Sequence, residues 1–303
     1  MITALFMSML VTFPAENQKL PTTDRVYVIG AADTNRKERL YLNGVEIDVY
    51  RTGAFLAMVK AHPGTNTIEL SQGHSVVTRR FEIALPQPAT ASPSPPRDPY
   101  KDIGIPSNVV FAAKPPKGTP LSDVHVVVDA GHGGKDSGAL SPRGFKEKDL
   151  NLSQAKSLAA ELKNAGFKVT MTRTNDTFVA LYDRPRRAFR ERADLFISVH
   201  HNATGVGGNP REARHTVTYA SNEAGLALAS AIQRQIAQAV VTVRNDGAKL
   251  KSLAVCRNPA VPSCLVEVDF MNLPEGEEES LDPVRRRNVS RAIVMGVLDW
   301  LAE

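Results

Sequence analysis

Residues 124–139 read VHVVVDAGHGGKDSGA, and this stretch decides the fold of the second half of the chain. The run VHVVV is apolar without alternation, which is typical of a strand buried on both faces of a sheet. The chain leaves this strand at Asp129 through a loop that holds four glycines and His132. Glycines allow a sharp turn and leave room for a bulky substrate, although a lone histidine in such a loop is more often a turn residue.

Strands and helices alternate after about residue 122. Strands are predicted at VHVVVDA, FKVTMTR, DLFISVH, LAVC and CLVEVDF, and helices at LNLSQAKSLAAELKNAG, LYDRPRRAFRERA and NEAGLALASAIQRQIAQAVV. A last helix opens with Asp282 as its cap and Pro283 at its first position, and it runs to Trp300. This succession predicts an α/β domain over residues 122–303, with a mostly parallel sheet and helices on both faces.

The first folded segment, residues 23–85, is predicted to be a small all-β sandwich. One strand pair surrounds Asn43-Gly44, a strong hairpin signal, and a second pair, FLAMVKA and TNTIELS, flanks the turn HPGT. This pattern loosely resembles the Ig-like β-sandwich accessory modules of bacterial surface enzymes. A spacer over residues 86–121 is predicted to follow, because its first fifteen residues include six prolines and permit neither a ladder nor a helix.

The N-terminal stretch, residues 1–22, is apolar over too short a run to span a bilayer as a helix. It resembles a secretory signal, but its first basic residue, Lys19, lies on the wrong side of the apolar run. We therefore expect residues 1–22 to be a degraded signal peptide or a disordered start.

The composition narrows the classes of function. Apolar residues at 42% and charged residues at 23% describe an ordinary globular chain. The net charge of +5 is spread along the chain, and the basic residues lack interleaved aromatics, which argues against nucleic-acid binding. Two cysteines, Cys256 and Cys264, are too few for a disulfide framework. We expect two buried thiols, with one bridge between neighbouring strands as the alternative.

Several candidate functional residues lie near the carboxyl ends of predicted strands, where sites form in sheets of this kind, and one more lies ahead of a helix. They are His132, the adjacent His200 and His201, Glu267 in CLVEVDF, and Glu147 just ahead of the first helix. Two imidazoles and a carboxylate on converging loops are what a catalytic zinc needs, since three protein ligands leave a fourth position for water. A further carboxylate can act as a base, and the apolar surroundings of Glu267 should raise its pKa.

Each of these residues also has a structural interpretation. Glu147 could be an ordinary solvated helix start, since acids favour first turns. Glu267 could pair with an arginine inside the sheet. His125, His201 and His215 are interpreted as structural. Spacing alone does not choose between these alternatives, because the residues share no helical register.

Five segments of the sequence, taken together, indicate the function more specifically than any single residue. They are VVVDAGHGGKDSGA, GFKEKDLNL, TRTNDTFVALYDRPRRA, ADLFISVHHNA and LVEVDFMN, in this order. Over residues 124–300 the chain resembles the zinc-dependent N-acetylmuramoyl-L-alanine amidases, the type 3 amidase family. The resemblance implies one Zn²⁺ per chain, held by His132, Glu147 and His200, with Glu267 as catalytic base. It further implies hydrolysis of the amide between N-acetylmuramic acid and L-alanine in peptidoglycan, at the cell envelope.

Other positions receive supporting roles or depart from the family pattern. Asp129 is predicted to orient a ligand, and Asn202 to support the ligands or contact the substrate. Arg184 is predicted either to do the same or to pair with a carboxylate that holds the fold. The family usually has a small residue where His201 stands, so this second imidazole could tune the site or accept another ion. The stretch GVGGNPREARHTVTY departs as well, and Cys264 and Asp269 replace commoner residues.

Two alternatives to the amidase interpretation remain open at this point. One is a catalytically silent cell-wall-binding or regulatory homologue, and the other is a zinc peptidase that acts on wall peptides. The sandwich could bind glycan, bind an activator or other wall component, or act only as a spacer, and we favour localisation or partner binding. We expect a monomer.

Overall fold

The computed structural model describes residues 8–86 and 114–303, with strands alone in the first range and strands alternating with helices in the second. The strands of the first range are β1 (Leu10–Phe13), β2 (Gln18–Leu20), β3 (Arg25–Ala31), β4 (Leu40–Leu42), β5 (Val45–Ile47), β6 (Ala54–Lys60), β7 (Gly64–Gln72) and β8 (Ser75–Ile83). The strands of the second are β9 (His125–Ala130), β10 (Lys168–Met171), β11 (Leu195–Asn202), β12 (Thr216–Ala220), β13 (Asn245–Leu250) and β14 (Ser263–Phe270). The helices are α1 (Glu147–Asn164), α2 (Asp183–Arg190), α3 (Pro210–Ala213), α4 (Glu223–Ala239), α5 (Pro274–Leu281) and α6 (Pro283–Ala302).

The N-terminal unit is a sandwich of two sheets, as predicted. One sheet has the order β1-β3-β6 and the other β2-β8-β7-β4-β5. Alternate side chains along each strand turn inward, so that Val28 and Phe55 of the first sheet meet Leu70 and Phe81 of the second in one core.

One predicted hairpin is confirmed and the other is wrong. β4 and β5 pair antiparallel around Asn43 and Gly44, which both adopt positive φ as this tight turn requires. β6, however, pairs with β3, whereas β7 pairs with β4 and β8 in the opposite sheet. A turn signal reports that the chain reverses direction, but it does not determine which sheet the next strand joins.

The expectation for residues 1–22 is wrong from Leu10 onward. β1 pairs antiparallel with β3, β2 pairs parallel with β8, and Val11 and Leu20 are buried in the sandwich core. The apolar residues that resemble a signal sequence are therefore strand residues here. Residues 1–7 and most of the predicted spacer lie outside the described residues.

The C-terminal unit has the predicted α/β fold. Its six-stranded sheet has the order β10-β9-β11-β14-β12-β13, and every neighbouring pair is parallel except β12 with β14. Asp282 caps α6 through a 2.9 Å bond from the Val284 amide, as expected. The predicted strand LAVC is wrong, because Ala254–Cys256 forms a 3₁₀ turn.

The helices cover both faces of this sheet. Val126 and Val128 of β9 point into a core with α1, α4 and α6, whereas Val127 points into a second core with α2 and the 3₁₀ turn. β9, β11 and β14 are adjacent and parallel, so their carboxyl ends meet at one edge. Both cysteines are buried and free, as expected, with Cys264 in the first core and Cys256 in the second.

The sandwich packs against the C-terminal unit beside this same edge. Tyr27 donates a 3.2 Å hydrogen bond to the Thr204 carbonyl, and Val206 packs on the sandwich core. Arg51 forms a 2.6 Å ion pair with Glu278 of α5. Among the described residues, no helix combines the length and the apolar character needed to cross a membrane.

Candidate metal centre and active site

The three predicted ligands converge at the carboxyl edge of the sheet. His132 follows β9, His200 lies near the end of β11, and Glu147 is the first residue of α1. Ligating atoms of the three side chains all lie within 4.8 Å of one another. No other group of three such side chains is as close anywhere in residues 8–86 and 114–303. Neighbouring parallel strands produce this convergence, since their ends share one edge.

The glycine loop fits closely around His132 and His200. His132 has a φ of 60°, in the left-handed region that non-glycine residues rarely adopt. A Cβ on Gly131 would overlap the His200 ring, so only glycine lets β9 end this close to β11. The loop is therefore built to bring one histidine beside the other, which explains its composition.

Glu147 contacts both histidines of the cluster. Its Oε1 lies 3.1 Å from His132 Nε2 and 3.0 Å from His200 Nδ1, and its Oε2 accepts a 3.0 Å bond from the Ala139 amide. Burial opposes the ionisation of Glu147, but the hydrogen bonds from both imidazoles outweigh it and hold its pKa well below the ordinary value. The same contact outweighs burial at His132 and raises its pKa to about 9. The Glu147 carboxylate thus stabilises positive charge at the two rings beside it.

Two residues that sequence analysis missed complete the surroundings. Asp136 Oδ2 lies 2.9 Å from His132 Nδ1, on the ring nitrogen that faces away from Glu147. Asn151 donates a 3.1 Å bond to Glu147 Oε1 from one helical turn further along α1. The signals were present in the sequence, because each residue follows its partner by four positions. Metal-binding histidines commonly donate their second N–H to a carboxylate, as His132 can do here.

Glu267 lies beside the cluster, although it does not belong to it. It is the parallel-strand partner of His200 in the β11–β14 register. Its Oε2 is buried without a hydrogen-bond partner among the described residues. Burial raises the pKa of Glu267 to about 7, with Glu147 adding to the effect and His200 opposing it. This carboxyl can therefore both take and return a proton near neutral pH.

Asp129 and Arg184 form a buried ion pair at 2.8 Å, which agrees with the structural alternative for Arg184. Arg184 also donates a 2.8 Å bond to the His132 carbonyl. Asp129 accepts from Thr172 and Ser198, and within the described chain no hydrogen bond joins it to a predicted ligand. Arg184 therefore contacts both Asp129 and the backbone of His132.

The remaining predicted residues lie around the cluster or away from it. Asn202 ends β11, where its side chain accepts from the Ala203 amide. His201 is buried against Asn151, and burial lowers its pKa to about 4. His125 contacts Thr170 at 2.9 Å and His215 the Ala213 carbonyl at 2.6 Å, in keeping with structural roles.

A cleft of about 210 Å³ opens directly onto the cluster. His132, Asp136, Arg184 and His200 line it together with an apolar wall of Phe178, Val179, Leu181 and Val255. Phe178 and Leu181 are 43% and 52% exposed. Accessible apolar surface beside a polar cluster is typical of a substrate site.

A family model and several known proteins are similar to this chain. The sequence model of the N-acetylmuramoyl-L-alanine amidase family matches residues 126–299. The probable cell wall amidase LytH of Staphylococcus saprophyticus is 33% identical over 64% of this chain and 64% of its own length. The N-acetylmuramoyl-L-alanine amidase AmiA of Escherichia coli is 31% identical over 58% of this chain and 75% of its own. The chain thus spans somewhat less than two thirds of the LytH relative.

A solved structure shows the same fold. The N-acetylmuramoyl-L-alanine amidase AmiC2 of Nostoc punctiforme superposes with a TM-score of 0.56 at 34% identity, over 59% of this chain and 98% of that one. The family model, which matches residues 126–299, covers the part of the chain that carries the cleft and the His132, Glu147 and His200 cluster.

Proposed function

Because this chain belongs to the N-acetylmuramoyl-L-alanine amidase family, we propose that it hydrolyses peptidoglycan at the amide between N-acetylmuramic acid and L-alanine. The observation that carries the proposal is the cluster of His132, Glu147 and His200, whose two histidines line an open cleft. A catalytically silent homologue would have no need to keep a base, yet Glu267 stands next to this cluster.

The cluster suits zinc better than the harder cations. Two imidazole nitrogens and one carboxylate oxygen are the donor types that zinc accepts, and three protein ligands leave a position open. The buried, unpaired Oε2 of Glu267 also indicates a group that is complete only when something else is bound. A zinc ion at this place would polarise the amide carbonyl and lower the pKa of a water to roughly 7.

The side chains of this protein would then share the proton transfers. Glu267 takes a proton from the attacking water and returns it to the leaving nitrogen of L-alanine, a role that a pKa of about 7 permits in both directions. Asp136 holds the His132 ring through Nδ1, which leaves Nε2 to face the cluster. Arg184 anchors the His132 backbone. The apolar wall with Phe178 suits the methyl groups and sugar-ring faces of the substrate.

The proposal includes the place of action and the role of the sandwich. The chain would act at the cell envelope, where peptidoglycan is found. The sandwich would localise the enzyme or bind a wall component or activator, and its contacts with Thr204 and Glu278 would keep it beside the cleft. We propose that the enzyme works as a monomer.

Product identification on purified sacculi tests the proposal. Wild-type protein should release peptides with a free L-alanine amine and leave glycan without stems, and a chelator should stop the release. A zinc peptidase would instead cut within the peptides, and a silent homologue would release nothing.

A substitution series assigns the chemistry to the site. Glu267→Gln should lower the rate by about 10²–10⁴-fold without loss of zinc, because it removes only the proton acceptor. Glu223→Gln is the matched control, since it makes the same chemical change at an exposed position on α4. Unchanged hydrolysis by the Glu267 variant would remove this residue from the mechanism.

A further inference from the structure

The orientation of the Asn151 amide is dictated by two acceptors. Asn151 is fully buried, and its Nδ2 donates to Glu147 Oε1 at 3.1 Å and to the Gly131 carbonyl at 3.3 Å. A flipped amide would set its own oxygen against both of these oxygens. The nitrogen must therefore face Glu147, and Oδ1 must face the other way.

His201 supplies the donor that this second side of the amide needs. Its Nδ1 lies 2.9 Å from Asn151 Oδ1, and since an amide oxygen can only accept, Nδ1 carries the hydrogen. The ring is 3% exposed, so water cannot replace it at this position. The chain that results runs from His201 through Asn151 to Glu147.

A strand irregularity makes this arrangement available. Consecutive residues of a strand normally point to opposite faces. The β11–β14 register shifts between His200 and Asn202, and both imidazoles reach α1. His200 contacts Glu147 directly through Nδ1, and its neighbour His201 reaches the same carboxylate through Asn151.

We propose that His201 is a positioning residue of the metal centre, which holds the Asn151 amide and thereby fixes the Glu147 carboxylate between His132 and His200. The inference rests on the proposed function, because it assumes that this cluster binds zinc. If His201 only filled space, any apolar residue of similar size could replace it without an effect on zinc binding. The positioning role instead requires a donor at this place.

Zinc affinity, measured by competition with a chromogenic chelator, separates the two roles. His201→Ala and Asn151→Ala should each raise the zinc Kd by about 10–100-fold, as loss of an outer contact typically does. The double variant should bind zinc about as weakly as Asn151→Ala alone, because both substitutions break one chain of bonds. His125→Ala is the matched control, since that buried imidazole contacts Thr170 and should leave the Kd within twofold.

Two further variants keep the test decisive if His201→Ala does not fold. His201→Asn places an amide N–H donor at the position of Nδ1 and should bind zinc nearly as tightly as wild type, whereas His201→Met has no donor there and should bind weakly. The visible spectrum of the Co²⁺-loaded protein should shift with His201→Met and stay unchanged with His201→Asn.

The outcomes also separate this inference from the proposed function. If the wild-type protein binds no zinc, the proposed function fails. If it binds zinc tightly and folded His201→Ala or His201→Met binds within twofold of it, only the inference is overturned. A double variant whose Kd change equals the product of the single changes would also overturn it.

Discussion

Replacing Gly131 with alanine should disable the metal centre without unfolding the domain. The backbone of Gly131 has no positive φ, so alanine is not excluded by the backbone conformation. The added Cβ would lie 2.7 Å from His200 Cδ2 and closer still to Nε2 and Cε1, whereas ordinary contacts begin near 3.4 Å. The shortest of these distances is 2.2 Å, to Nε2, so relief of the overlap requires a shift of about 1 Å, far beyond the roughly 0.2 Å that metal–ligand distances tolerate.

The size of the expected loss in zinc affinity and activity follows from the displacement of the His200 ring. A misplacement of about 1 Å at a reacting centre costs about 10²-fold, so zinc affinity and kcat/KM should each fall by about that factor. Overpacking at one buried site should lower the free energy of unfolding by about 1–3 kcal/mol, which leaves a folded domain for measurement.

The assay combines zinc binding, hydrolysis of sacculi and thermal unfolding for each variant. Gly205→Ala is the matched control, because a Cβ there would meet no atom within 4 Å and Gly205 has no positive φ. Wild-type zinc affinity and hydrolysis in folded Gly131→Ala would refute the reasoning, since His200 would then not need its observed position.

Three further predictions concern the surroundings of the cluster. Asp136→Asn should raise the zinc Kd by about 10–100-fold in the chelator competition, and an unchanged Kd would show that the bond to His132 does not support a ligand. The kcat/KM of the zinc-loaded enzyme should fall as the pH drops below 7, because Glu267 acts as the base only when it is ionised. A nearby dication lowers the pKa of Glu267 from about 7, so the fall should begin below that pH. A flat profile from pH 5 to 7 would exclude Glu267 as the group that titrates. Arg184→Met should lower the free energy of unfolding in urea by about 3–5 kcal/mol, because it leaves Asp129 charged and buried without its partner. A loss below about 1 kcal/mol would show that the pair does not hold the fold.

Protons and zinc compete for His132, so zinc affinity should depend on pH. The pKa of His132 is raised to about 9 while Glu147 and Asp136 face it, so a proton must leave before this ring can bind a metal. Zinc affinity should therefore rise with pH up to about 9. The dependence should weaken in Asp136→Asn, because one of the two carboxylates that stabilise the protonated ring is lost.

The sequence predicted the α/β unit well because its signals are local. Apolar runs such as that of β9, the helical spacing of α1 and the Asp282-Pro283 start of α6 each specify an element without reference to distant residues. The wrong predictions concern segments whose structure depends on the strand or surface that they pack against. The LAVC segment is apolar enough for a strand, but no strand position in the sheet is left for it beside β14, and it forms a 3₁₀ turn.

The same division applies to the candidate site. Chemistry and position in the predicted elements singled out His132, Glu147, Glu267 and the pair His200 and His201, and the family resemblance chose His200 from that pair. The structure brings His132, Glu147 and His200 together, with Glu267 beside His200. The role proposed for Asn151 depends on a hydrogen bond between side chains from α1 and β11, which no spacing reveals.

By itself, then, the sequence determined most elements of the C-terminal unit, the sandwich class of the N-terminal one and the residue types able to bind a metal, because periodicity, turn chemistry and donor atoms are properties of short segments. Only the tertiary structure decided which sheet β6 joins, that residues from Leu10 onward belong to the sandwich, and that Arg184 is occupied by Asp129. Those outcomes depend on which surfaces meet in three dimensions. A contact between two residues far apart in the chain cannot be predicted from the local sequence around either residue.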